Sequence, residues 1–274
     1  MKNKLLIYDD NCPLCSWYSK QFVKFGFLPK EGRKPFSTLD EKYLQLIDFE
    51  RSRNEIPLLD TKTNQVIYGI DALLEILDSK IPFVKAIGNI KPIHCFLHKL
   101  YKFVSYNRKV IVAVKCGPGA IDCAPDFNYL YRALFMALFL LLNTFLLFSF
   151  HKIILSPLPF YHMSIWQLQA GHLALVAMNC LLSLSFSWQK AFEYLGQINM
   201  LALLTNLFLV PLFILIKTIG PSPILITVWL IILSIVVFKE YFRRMEFAGI
   251  IQNNKWVASF NLAGMTGFVL YLFS

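Results

Sequence analysis

Residues 5–15 read Leu-Leu-Ile-Tyr-Asp-Asp-Asn-Cys-Pro-Leu-Cys. Four apolar residues, Leu5 to Tyr8, bounded by polar turn formers, predict a buried strand. Asp9-Asp10-Asn11 is the turn. Cys12-Pro13-Leu14-Cys15 then opens an amphipathic segment in which Leu14, Tyr18, Phe22 and Phe25 recur at helical spacing. Proline is favoured at the first position of a helix, which makes Cys12 the N-cap and Cys15 the third helical residue. A sulfur at the N-cap faces unpaired N–H groups and the positive end of the helix dipole, and both favour a thiolate over a thiol. The stretch therefore predicts a reactive cysteine with a second one a turn behind it.

Working outward, a Gly/Pro-punctuated connection runs from Gly26 to Pro35, and Phe36-Ser37-Thr38-Leu39 alternates weakly, as a second strand would. Asp40 is placed to cap a helix running to about Glu50, with Tyr43, Leu44, Ile47 and Phe49 as its apolar side. Ile56-Pro57-Leu58-Leu59-Asp60 reads as a strand entered through a proline. Thr61 to Asn64 supplies a hairpin turn, and Val66-Ile67-Tyr68 is the returning strand. Gly69 breaks it, and Asp71 begins a further helix with Leu73, Leu74, Ile76 and Leu77 inward. The order β-α-β-α-β-β-α, with C-x-x-C after the first strand and X-Pro before the third, resembles the thioredoxin fold.

Composition divides the chain. All but 11 of its 44 charged side chains precede residue 130, although the whole sequence of 274 residues is 56% hydrophobic. The expected organisation is an α/β thioredoxin-like C-x-x-C domain over residues 1–110 and a linker over 111–129 that holds Cys116 and Cys123. An all-α transmembrane bundle of about five spans follows over 130–274. The net charge of +10 does not indicate nucleic acid, because Lys and Arg are scattered without a helix-turn-helix or zinc-finger pattern; attraction to anionic lipid accounts for it. The apolar run after the basic start is too short for an export signal. Six dispersed cysteines do not make a disulfide framework, so each is read for its own chemistry.

The five apolar runs lie at about 130–150, 168–187, 198–216, 223–238 and 256–273, with Trp166, Trp188 and Trp256 at the expected interfaces. Basic residues collect before the first run and between the last two, at Lys239, Arg243, Arg244 and Lys255, whereas the other loops hold one Lys each. The positive-inside rule then puts the amino-terminal domain in the cytoplasm, as part of a multi-pass membrane protein.

The motif YDDNCPLC, then Tyr68-Gly69-Ile70-Asp71-Ala72-Leu73, Leu100-Tyr101 and Asn107-Arg108, resembles the DCC family of thiol-disulfide oxidoreductases over about residues 4 to 110. Asp10 stands where that family usually carries glycine. The resemblance implies a thioredoxin-like fold with Cys12 and Cys15 as a redox-active pair. By the fold likeness, Ile56–Pro57 would be a cis bond set against the cysteines, with Pro57 the backbone element on the substrate side.

For Cys12 and Cys15 the functional reading is thiol-disulfide exchange, Cys12 as nucleophile and Cys15 as resolving thiol. The competing reading is half of a structural zinc site in a non-enzymatic membrane protein, which would need further ligands from Cys95, Cys116, Cys123 or a histidine. Asp9 is either the acceptor of the Cys15 proton or a turn cap. Cys116 and Cys123 flank Gly-Pro-Gly and are either a second redox pair or two free thiols. His94, Cys95 and His98 fall together on a helix, with no acidic fourth ligand nearby in the sequence. Asn143, Gln169, His172, Asn179, Asn199 and Asn206 interrupt the apolar runs, as interhelical hydrogen-bonding groups or as the lining of a quinone or substrate site. The expected enzyme exchanges electrons with a thiol or disulfide protein or a small thiol, sits in a lipid bilayer, and needs no metal and no cofactor beyond its own disulfide. A quinone-linked carrier is the alternative.

Overall fold

Leu6 and Ile7 are both fully buried, although successive strand residues face opposite sides of a sheet. Both faces of the sheet are therefore covered. In the computed structural model, which describes residue 1, residues 3–115 and residues 124–272, Leu6 packs with Leu28, Ile56, Leu58, Ala72 and Ile76. Ile7 packs on the other side with Phe36, Leu39, Ile47 and Leu59. This is why the strand reads as an unbroken apolar run rather than an alternating one. The chain divides into two compact units, Met1–Tyr131 and Arg132–Ser274.

In the first unit β1 (Lys4–Tyr8) leads into α1 (Pro13–Lys24), which crosses over to β2 (Arg33–Pro35). Two four-residue helices follow, α2 (Glu41–Leu44) and α3 (Phe49–Ser52), then β3 (Pro57–Asp60), β4 (Val66–Tyr68) and α4 (Gly69–Asp78). The unit closes with α5 (Val84–Gly88) and the long α6 (Lys91–Ile111). The sheet order is β2-β1-β3-β4; β1 runs parallel to β2 and antiparallel to β3, and β3 pairs antiparallel with β4. This is the thioredoxin-like arrangement.

Several local expectations are corrected. The second strand lies three residues earlier than Phe36–Leu39, because Phe36 turns its ring into the core as Phe36–Thr38 coils into a 3-10 turn. The single helix to Glu50 is two, since Asp48 accepts the Arg51 N–H and so starts a new helix. Leu44 and Phe49 consequently stay partly exposed, while Ile47 is buried in the core and Tyr43 packs against it. Phe25 leaves the α1 stripe because it caps the helix and lies in solvent. Gly69 does more than end β4: it takes φ 61°, begins α4, and donates its N–H to the Ile56 carbonyl at 2.9 Å.

The second unit is helical: α7 (Tyr129–Phe150, continued by a π turn over His151–Leu155), α8 (Ile165–Ser183), α9 (Trp188–Ile219), α10 (Pro223–Phe247), α11 (Ile250–Asn253) and α12 (Lys255–Leu272). Among the described residues four helical segments are long and apolar enough to cross a membrane: Tyr129–Leu155, Ile165–Ser183, Trp188–Ile219 and Pro223–Phe247. The fifth apolar run is also helical, as α12. Helix α9, about 48 Å long at 1.5 Å per residue, exceeds a hydrocarbon core of about 30 Å. Its first turns hold Glu193 and Gln197. Arg132 donates to Glu193 at 3.0 Å, and the fully buried Arg244 donates to Gln197 at 2.6 Å and to Glu240 at 2.8 Å. These contacts bring the start of α7, the start of α9 and the end of α10 to one end of the bundle.

Candidate active site

The turn after β1 is built by its own polar groups. Asp9 accepts the Asn11 N–H on Oδ1 at 2.9 Å, and the Cys12 N–H donates to the Asp9 carbonyl at 3.2 Å. Asp10, in place of glycine, needs no positive φ; its carboxylate turns away to accept the Ser37 hydroxyl at 2.8 Å. Cys12 is the N-cap of α1, with extended backbone (φ −106°, ψ 104°) and Pro13 inside the first turn. Its sulfur accepts the Cys15 N–H at 3.3 Å and the Cys15 thiol at 2.7 Å. Both cysteines are only 2% exposed.

These contacts separate the two thiols chemically. The hydrogen bond from Cys15 lowers the pKa of Cys12 to about 6, against the effect of burial and with help from Arg108 and the Cys15 amide. Cys15, which gives that hydrogen bond and is buried, is pushed well above the ordinary thiol range. One sulfur is thus a thiolate at neutral pH and its neighbour holds a proton.

Arg108, from the last turn of α6, is the residue that sequence reasoning did not place here. Its Nη1 donates to Cys15 Sγ at 3.8 Å, its Nη2 donates to the Arg53 carbonyl at 2.9 Å, and the same Nη2 stands 4.0 Å from Asp9 Oδ2. The signal in the sequence is the Asn107-Arg108 pair of the family resemblance, which carries no role for the arginine by itself. Asp9 is buried, and burial raises its pKa despite Arg108 and Lys109. Its Oδ2 has no hydrogen-bond partner among the described residues, which suits this oxygen to take a proton.

The expected cis bond is not there. All peptide bonds among the described residues are trans, Ile56–Pro57 included. Trans is the preferred form of X-Pro, by about 0.5–1 kcal/mol. Here Pro57 enters β3 in register with Tyr68, an ordinary strand start. Cys116 and Cys123 lie outside the described residues. His94 and His98 face different carboxylates, Asp71 at 2.8 Å and Glu55 at 3.9 Å, which the sequence spacing had not shown. The membrane-segment amides hold helices together. Asn206 donates to Asn143 at 2.8 Å, and Asn143 donates to Asn199 at 3.2 Å. Gln169 donates to the Thr144 carbonyl at 2.8 Å and His172 sits 3.4 Å from the Thr144 hydroxyl, while Asn179 accepts from both Tyr194 and Asn261.

Asp9, Cys12 and Cys15 offer three ligand atoms within 4.8 Å of one another, the one grouping among the described residues that suits a metal ion. Tetrahedral zinc takes four ligands. Arg108 also sets a cation against two of these three groups, which disfavours a second one.

A mixed four-stranded sheet with a buried dithiol at the amino end of its first helix defines a thioredoxin-like dithiol domain. Residues 6–113 match the family described as DCC1-like thiol-disulfide oxidoreductase. No curated protein and no solved structure matches the chain.

Proposed function

We propose that the protein is a membrane-anchored thiol-disulfide oxidoreductase that exchanges electrons through Cys12 and Cys15. The observation that carries this reading is the 2.7 Å hydrogen bond from the Cys15 thiol to the Cys12 sulfur, which makes one cysteine nucleophilic and keeps its partner in reserve. The Cys12 thiolate attacks a substrate disulfide, forming one S–S bond and releasing the substrate's other sulfur as a thiolate. Cys15 then attacks Cys12 and expels the reduced substrate, closing the Cys12–Cys15 disulfide. The Cys15 proton goes to Asp9, whose raised pKa suits it to accept and pass on a proton. Run backwards, the same steps oxidise a dithiol.

The basic residues near the shared end of α7, α9 and α10 support a cytoplasmic dithiol domain. A membrane-impermeant maleimide tests this on Cys95, which is exposed on α6: labelling only after the cells are permeabilised supports it, and labelling of intact cells rejects it.

Alkylation mass spectrometry across a series of thiol/disulfide buffers tests the activity itself. Interconversion of Cys12 and Cys15 as a two-electron pair, with Cys15→Ser trapping a mixed disulfide on Cys12, is the expected result. Stoichiometric zinc and thiols inert to mild oxidant would replace it with the structural-metal reading.

A further inference from the structure

Helices α1, α4 and α6 enclose a cavity of about 340 Å³ whose walls include Leu14, Phe22, Leu73, Leu97 and Leu100, with Cys15 and Arg108 also lining it. We propose that this cavity binds a lipophilic quinone that oxidises the dithiol; the proposal rests on the redox reading above and names the electron acceptor for the same pair.

The volume lies within the range of small-molecule sites, and apolar walls with few polar groups are what such sites use. Tyr101 and Ser105 also line the cavity, but their hydroxyls are engaged, with the Ile56 N–H at 2.8 Å and with the Asn54 carbonyl at 2.5 Å. Arg108 is the charged residue among those that line the cavity, and its guanidinium lies beside the Cys15 sulfur. A cation held there stabilises the negative charge that grows on a quinone oxygen as the ring is reduced.

Access points the same way. Both cysteines are only 2% exposed, so the surface offers little approach to either of them. The cavity, in contrast, reaches Cys15 directly. Its wall residues Leu100 and Val104 are also 47% and 41% exposed, so the opening is apolar. A carrier that dissolves in lipid matches that opening, and the same chain supplies four helices able to cross a bilayer.

The reaction balances. Cys15 passes its proton to Asp9 and its sulfur adds to a ring carbon of the quinone, forming an S–C bond. The Cys12 thiolate attacks that sulfur; the S–S bond forms and the S–C bond breaks, leaving both electrons on the ring. The quinol takes one proton from Asp9 and one from water. The dithiol is oxidised by two electrons and the quinone is reduced by two.

The test uses the full chain in lipid nanodiscs, reduced and kept anaerobic, with tetramethylbenzoquinone as oxidant, a fully methylated ring on which a thiol adduct has no ring hydrogen to lose and so cannot settle as a stable thioether. One quinol per Cys12–Cys15 disulfide is expected, with saturation in quinone. Leu73→Trp, which fills the cavity, should slow quinol formation at least tenfold and leave oxidation by hydroxyethyl disulfide unchanged. Should that variant not fold, Val104→Trp at the exposed edge carries the same comparison. Oxidation by the disulfide but not by the quinone, or equal quinone rates in parent and filled variants, overturns the quinone site and leaves the oxidoreductase standing. A pair inert to both oxidants removes the oxidoreductase reading as well.

Discussion

Arg108 Nη1 lies 3.8 Å from Cys15 Sγ, although 93 positions of chain separate the two residues. The approach places a fixed positive charge beside a dithiol that α1 alone had already polarised. The same guanidinium faces Asp9, so proton acceptor, resolving thiol and cation meet in one buried volume.

Alkylation of the reduced protein should rise through about pH 6 and level off above it, all on Cys12, where an ordinary thiol would titrate near 8.5. Cys15, with its raised pKa, should stay unmodified across that range. Because the folded pKa of Cys12 lies below its unfolded value, the thiolate contributes stability that is fully present above about pH 8.5 and is lost as pH falls through about 6. Thermal unfolding of the reduced protein from pH 6 to 8.5, compared with Cys12→Ser, should show a rise that the variant lacks.

Arg108→Met removes a charge that favours the Cys12 thiolate, so the alkylation midpoint should move upward and the rate at pH 6 should fall several-fold. It also leaves Asp9 buried without its facing cation, at a cost of about 3 kcal/mol in denaturant unfolding. Arg108→Lys should restore part of the midpoint. An unchanged midpoint in both variants would detach Arg108 from the thiol chemistry.

Asp9→Asn should act in the opposite direction. The Asp9 charge raises the pKa of Cys12, so its removal should carry the alkylation midpoint below that of the parent. Loss of the proton acceptor should at the same time lengthen the life of a mixed disulfide on Cys12. Quenched-flow trapping with acid, followed by mass spectrometry, measures both. A lowered midpoint with an unaltered lifetime would leave Asp9 as a turn cap only.

In the membrane unit, Asn206→Leu breaks the hydrogen bond to Asn143 that joins α9 to α7. It should destabilise the bundle by about 1 kcal/mol, read by unfolding in mixed micelles. The Cys12 alkylation profile should not change.

Much of the site was written locally. Cys12, Pro13 and Cys15 fix their own geometry because a helix start is decided within four residues: the N-cap sulfur, the proline and the third amide are neighbours in sequence and hydrogen-bond as neighbours. The buried first strand and the hairpin of β3 and β4 were legible for the same reason, since apolar runs and turn formers act over a few positions. Where the sequence misled, a distant group had intervened. Phe36 left the strand pattern for the core, and Asp48 split a helix while its N–H went to the Tyr68 hydroxyl, 20 residues away.

In the last helix, Asn261 of α12 spends its amide on Asn179 and Tyr194 of the neighbouring helices. By itself the chain determined that a thiolate would sit at the amino end of α1 and that apolar helices would follow. Tertiary structure alone decided that Arg108 would face that thiolate's partner and that Asp9 would be buried beside it. It also set an apolar cavity against the resolving sulfur. Those features depend on how α6 packs against α4 and α5, and no periodicity within α6 encodes which residue of α1 it will meet.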